Sequence, residues 1–137
     1  MRVTLGFLIA LFVAASGLAR ADNPYAVAGI SNPAHVTQFL ARLKQAMAAD
    51  DHPAVAAMLK YPLTVNSSSE RPITYRGATA MSANYARVFT PEVKAAVAAA
   101  TPGNLFVRDQ GIMIGNGEIW MNEVGETMKI ITVNHTR

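Results

Sequence analysis

The densest polar cluster in this chain is Asp50-Asp51-His52, which could offer two carboxylates and an imidazole to a metal or to acid-base chemistry. Pro53 points to a simpler use: an acidic residue ahead of a proline-led helix accepts the free N–H groups of its first turn. His35 and His135 lie far from His52 and form no recognised ligand spacing with it, so no metal and no cofactor is expected. Ser67-Ser68-Ser69 has no nucleophile elbow around it and reads as a polar turn. Gly115-Asn116-Gly117 lacks the Gly-Lys-Ser/Thr of a phosphate loop and reads as a hairpin. The absence of cysteine excludes disulfides, thiol catalysis, thiolate metal sites and a lipid-modified cysteine anchor.

Aromatic residues are the remaining candidates. Tyr85 and Phe89 lie four residues apart, on one face of a helix, as core or as pocket lining. Tyr61, Tyr75 and Tyr85 are candidate hydrogen-bond donors and Asp109 a candidate acid, but nothing in their spacing gathers them around one point. Trp120 belongs with Met113, Glu118 and Lys129 on one face of a sheet, as follows from the elements.

Asn32-Pro33 opens a helix over about 33–49, with Val36, Phe39, Leu40, Leu43 and Met47 at helical spacing. A short second helix carries Val55, Met58 and Leu59, and Tyr61-Pro62 is expected to end it. Leu63 and Val65, then Ile73 and Tyr75, read as two short strands around the serine run, with Pro62 and Pro72 at their starts. Ala78, Met81, Tyr85, Val88 and Phe89 form a further helical stripe. Thr90-Pro91-Glu92 opens an alanine-rich helix running to Ala100.

Residues 105–108, 111–115, 118–123 and 127–134 read as short strands. Asn116-Gly117 is a strong two-residue hairpin signal. It pairs Ile114 with Ile119, Met113 with Trp120 and Ile112 with Met121. A second turn around Val124-Gly125 would pair Met121 with Met128, Ile119 with Ile130 and Trp120 with Lys129. Alternation then puts Ile112, Ile114, Ile119, Met121, Met128 and Ile130 on one apolar face. Met113, Glu118, Trp120, Asn122, Lys129, Ile131 and Val133 fall on the other. The first face should pack on helices, with Phe39, Leu43, Leu59 and Val88 in the same core. The second is solvated or meets a ligand, a second subunit or another protein. The opposite curvature would put Trp120 inside the cavity, beside Tyr61 and Tyr85.

Residues 1–21 combine Arg2, an apolar run from Val3 to Ala15 and an Ala19-Arg20-Ala21 cleavage pattern, the features of a secretory signal peptide. Ser16-Gly17 and Arg20 interrupt the run before it reaches the length of a membrane span. The expected product is therefore a single domain over 22–137, periplasmic or secreted, with no stable membrane anchor. Without Arg2 and Arg20 the charge falls from +3 to ten basic residues against nine acidic, or +1. With no basic stripe either, the balance gives no support to a nucleic-acid partner.

Helices, a short strand pair, another helix and then antiparallel strands make an α+β fold, N-terminal helices packed on a curved, mostly antiparallel sheet. Together with Phe39 to Met47, residues 50–56, Tyr61-Pro62-Leu63, Tyr85 to Phe89 and residues 115–120, this order resembles the nuclear-transport-factor-2-like superfamily, the cystatin-like α+β cone. The resemblance implies a pocket between helices and sheet and frequent dimerisation through the sheet. It spans enzymes, carriers and protein adaptors, so the fold leaves function open. Its isomerase-like members use an acidic general base with tyrosine and acid donors in an apolar pocket. The expected function is a non-catalytic binding or interaction module, taking a small apolar or amphipathic ligand or a protein partner, or forming a homodimer. The alternative is a cofactor-independent isomerase, cyclase or hydratase.

Overall fold

The computed structural model describes residues 22–136; the leader expected over 1–21 lies outside them. Helix α1 (Pro33–Ala48) starts where Asn32 accepts the Ala34 N–H at 3.0 Å, the cap that an asparagine ahead of proline provides. Helix α2 (His52–Ala57) is capped in the same way by Asp51, which accepts from the Ala54 N–H. Strands β1 (Leu59–Ser67) and β2 (Ile73–Tyr75) precede α3 (Ala78–Ala83), α4 (Tyr85–Val88) and α5 (Pro91–Ala99). Strands β3 (Phe106–Arg108), β4 (Gly111–Ile114), β5 (Ile119–Val124) and β6 (Thr127–His135) complete an open sheet of order β2-β1-β6-β5-β4-β3. The architecture is α+β, with helices packed on a curved mixed sheet in which only β1 and β6 run parallel. Among the described residues no helix is long and apolar enough to cross a membrane.

One inner face makes the core. Ile112, Ile114, Ile119, Met121, Met128 and Ile130 are all buried, in one cluster with Phe39, Leu43, Leu59 and Val88. The β4–β5 register is the expected one, Ile114 opposite Ile119 and Met113 opposite Trp120.

The structure corrects the expectations in four places. Tyr61-Pro62 does not terminate α2: it lies inside β1, joined by a cis peptide bond, where the β1–β6 register shifts between Leu59 and Thr64. Proline has no N–H to donate, so it fits a break in the ladder. The β4–β5 connection takes four residues, Gly115 to Glu118, instead of the two-residue Asn116-Gly117 turn. Glu118 therefore leaves the strand. Its backbone carbonyl accepts from Asn134 N at 2.8 Å, and its side chain is buried instead of facing out with Trp120.

The β5–β6 turn is Gly125-Glu126, one position later than expected, with Val124 opposite Thr127 and Asn122 opposite Lys129. Gly125 has φ 66 and Glu126 does not adopt positive φ, the pattern of a hairpin led by glycine. The expected Trp120–Lys129 pairing is therefore not formed; Trp120 lies opposite Thr132. Finally, a register shift between Trp120 and Met121 leaves Ile131 unpaired and places Val133 opposite Ile119. An extra residue in one strand reverses the faces beyond it, so Val133 is fully buried on the inner face.

Two rows of paired residues summarise the sheet. The inner row runs Ile114, Ile119, Val133, Val65, Ile73, and the outer row Phe106, Met113, Trp120, Thr132, Thr64, Thr74. Trp120 thus faces away from the helices, not into a cavity beside Tyr61 and Tyr85.

Candidate functional site

The inner row is covered unevenly. Ile114, Ile119 and Val133 are sealed under helices, Val65 is 5% exposed, and Ile73 on the sheet edge is only partly buried. Where the cover stops, between the β1–β2 end of the sheet and the α4–α5 junction, a cleft of about 370 Å³ opens. That volume is within the usual range for small-molecule sites. Val65, Ile73 and Tyr75 form its apolar wall, and Tyr75 is itself buried.

Its polar rim comes from separate parts of the chain. Parallel pairing sets Ser67 of β1 opposite His135 of β6. Ser69, Glu70 and Arg71 enter from the β1–β2 loop, Arg87 from α4, and Thr90 and Glu92 from the start of α5. His135 Nε2 lies 3.0 Å from the Val88 carbonyl. A carbonyl can only accept, so Nε2 carries the hydrogen and donates, leaving Nδ1 for other partners. Thr136 turns back to donate to Glu118 Oε1 at 2.9 Å, while Glu118 Oε2 accepts the Asn116 N–H at 2.6 Å. Asn134 donates to the Gly117 carbonyl and accepts from Asn66. These bonds tie the end of β6, whose His135 and Thr136 border the cleft, to the β4–β5 loop and to β1.

A second cluster lies at the start of α2. Asp50, at φ 53, does not cap the helix; its Oδ1 accepts from His52 Nε2 at 2.9 Å. The imidazole stacks on Tyr85 with ring centroids 3.7 Å apart and 13° between planes. Phe89 packs on Tyr85 at 4.9 Å, and Lys94 Nζ stands 5.5 Å from its ring centroid. The Tyr85 hydroxyl is buried without a hydrogen-bond partner among the described residues. Burial, and after it the charge of Asp50, raises the Tyr85 hydroxyl above the ordinary tyrosine range. Stacking, the His52–Asp50 hydrogen bond and a capped helix start make this cluster a joint between α2 and α4. No three metal-ligating side chains gather anywhere among the described residues.

The expected site residues therefore separate. Tyr85 and Phe89 are core. Tyr61 and Lys129 both serve the end of α2: the Tyr61 hydroxyl donates to the Ala56 carbonyl at 2.8 Å, and Lys129 Nζ to the Ala57 carbonyl at 2.7 Å. Those are the free carbonyls of a helix C-terminus. Burial raises the Tyr61 hydroxyl as well. Met113 and Trp120 share the outer row with Phe106, which is 51% exposed. Trp120 also borders a shallow outer depression with Ile131, Thr132, Asn134, Asn66 and Gln110. Glu118 is a buried brace.

Sequence reading missed Arg71, Arg87 and the pairing of Ser67 with His135. No local signal could have found them, because a parallel pairing of strands 68 positions apart (Ser67 to His135) has no turn to announce it. Comparison with protein-family models, with curated proteins and with solved structures finds no match to this chain.

Proposed function

We propose that this chain is an exported, non-catalytic binding module of the nuclear-transport-factor-2-like kind, and that the cleft beside Tyr75 holds a small amphipathic ligand. One observation carries the reading: the inner apolar face ends at the sheet edge in partly buried Ile73, beside Val65 and Tyr75, all three lining the cleft, and polar groups from β1, β6, α4, α5 and the β1–β2 loop converge around them. An apolar wall with a few convergent polar groups is the usual make-up of a small-molecule site. The element order and the leader-like residues 1–21 support the family and the export route. Native mass spectrometry of the exported chain tests this: a small-molecule adduct that denaturation releases is expected. Chain mass alone in every preparation would count against it.

The outer row favours a second use. Phe106, Met113 and Trp120 line up across β3, β4 and β5 on the face away from the helices. Aromatic residues and methionine are enriched at protein interfaces. A protein partner or a second copy would cover this face, and Trp120→Ala should then weaken assembly more than folding. Sedimentation velocity beside equilibrium unfolding separates the two effects.

A further inference from the structure

Resting on that reading of the cleft, we propose that its ligand is a monoanionic amphiphile: an organic carboxylate whose head group meets Arg71 and Arg87 while its apolar part lies on Val65, Ile73 and Tyr75. The two arginines approach from different elements, Arg71 from the β1–β2 loop and Arg87 from α4, and both are exposed at the cleft. Among the described residues the contacts within 4.0 Å between basic side-chain nitrogens and carboxylates are His35–Glu123 and His52–Asp50, so neither guanidinium is held by a described carboxylate. A guanidinium presents a planar fork of donors matched to a carboxylate.

Two acids line the same cleft and decide the ligand's charge. Glu70 and Glu92 balance the two arginines in formal charge. Glu92 stands in the first turn of α5, where the helix N-terminus compensates a negative side chain. Ser67 and Ser69 add neutral hydroxyl donors. The two guanidinium forks, neither held by a described carboxylate, can hold one carboxylate, while the two glutamates that cancel their charge oppose a second negative charge, so a carboxylate fits better than a phosphate. The apolar wall adds to the affinity, chiefly through the partly exposed Ile73 at the sheet edge.

Isothermal titration of the mature chain at low ionic strength with octanoate, octan-1-ol, octyl phosphate and octyltrimethylammonium tests this directly. Octanoate should bind about tenfold tighter than octanol, the scale of one charge-assisted contact. Arg71→Gln and Arg87→Gln should each erase most of that difference by weakening octanoate far more than octanol, with the melting curve unchanged. Arg87→Lys should restore part of it, since it keeps the charge without the fork. Equal affinity for octanoate and octanol, or variants that preserve the difference, would overturn the carboxylate assignment and leave the cleft reading standing. Tighter binding of the phosphate would overturn the single charge, and tighter binding of the cation would overturn its sign. Failure of all four probes to bind would overturn the cleft reading itself.

Discussion

Tyr85 shows how a side chain with chemical potential can be held in a structural role. Its ring is stacked by His52 and packed by Phe89, and its hydroxyl is buried without a partner among the described residues. An unsatisfied buried hydroxyl costs about 1–3 kcal/mol. Tyr85→Phe keeps the ring contacts and removes that group, so it should leave stability unchanged or raise it by up to that amount, as read by urea denaturation. Wild-type stability should also fall as pH rises above about 10, where unfolded tyrosines ionise. Tyr25, Tyr61 and Tyr85 are all raised by burial and keep their protons longer in the folded state. The folded state then binds more protons than the unfolded one, which sets that sign, and Tyr85→Phe should flatten the alkaline slope. Gly115 is the opposite case: φ is 67 and an added Cβ would overlap the Glu118 carboxylate. Gly115→Ala should therefore destabilise by more than about 1 kcal/mol.

Among the elements, the β4–β5 hairpin carries most of what the sequence could disclose. Alternation alone picked out the inner isoleucines, because a one-residue slip would have put every one of them in solvent. Ile119→Ala removes buried methyl groups from a residue with no exposure and should cost about 2–5 kcal/mol. Gln45→Ala, on the exposed side of α1, should cost little, and denaturant midpoints rank the two. The turn residues were less legible. Gly125-Glu126 and Val124-Gly125 are both plausible hairpin centres, and the choice rests on which residue takes positive φ. The bulge at Ile131 has no marker in a run of β-branched residues, so Val133 was assigned to the wrong face. The cleft was the least legible feature, because its residues meet through the parallel β1–β6 pairing and the end of the helical cover. Arg71 and Arg87 have no periodicity relating them.

At the scale of the molecule, the proposed function divides the chain into an export leader over residues 1–21 and a binding module over the rest, and the division is open to a direct test. Replacing Ala19 or Ala21 with glutamate would present a charged side chain to a small-residue cleavage site and should block maturation. N-terminal sequencing of exported protein should find a start near Asp22; a mature species still bearing residues 3–15 would refute cleavage. The working module has two candidate surfaces on opposite sides of one sheet, and a single comparison separates them. Ser67→Trp would fill the cleft beside Tyr75, and Trp120→Ala would alter only the outer face. Native mass spectrometry of the wild type and both variants should show the small-molecule adduct in the wild type and in Trp120→Ala and its loss in Ser67→Trp. An adduct that survives a filled cleft, or one that disappears with Trp120, would contradict the account.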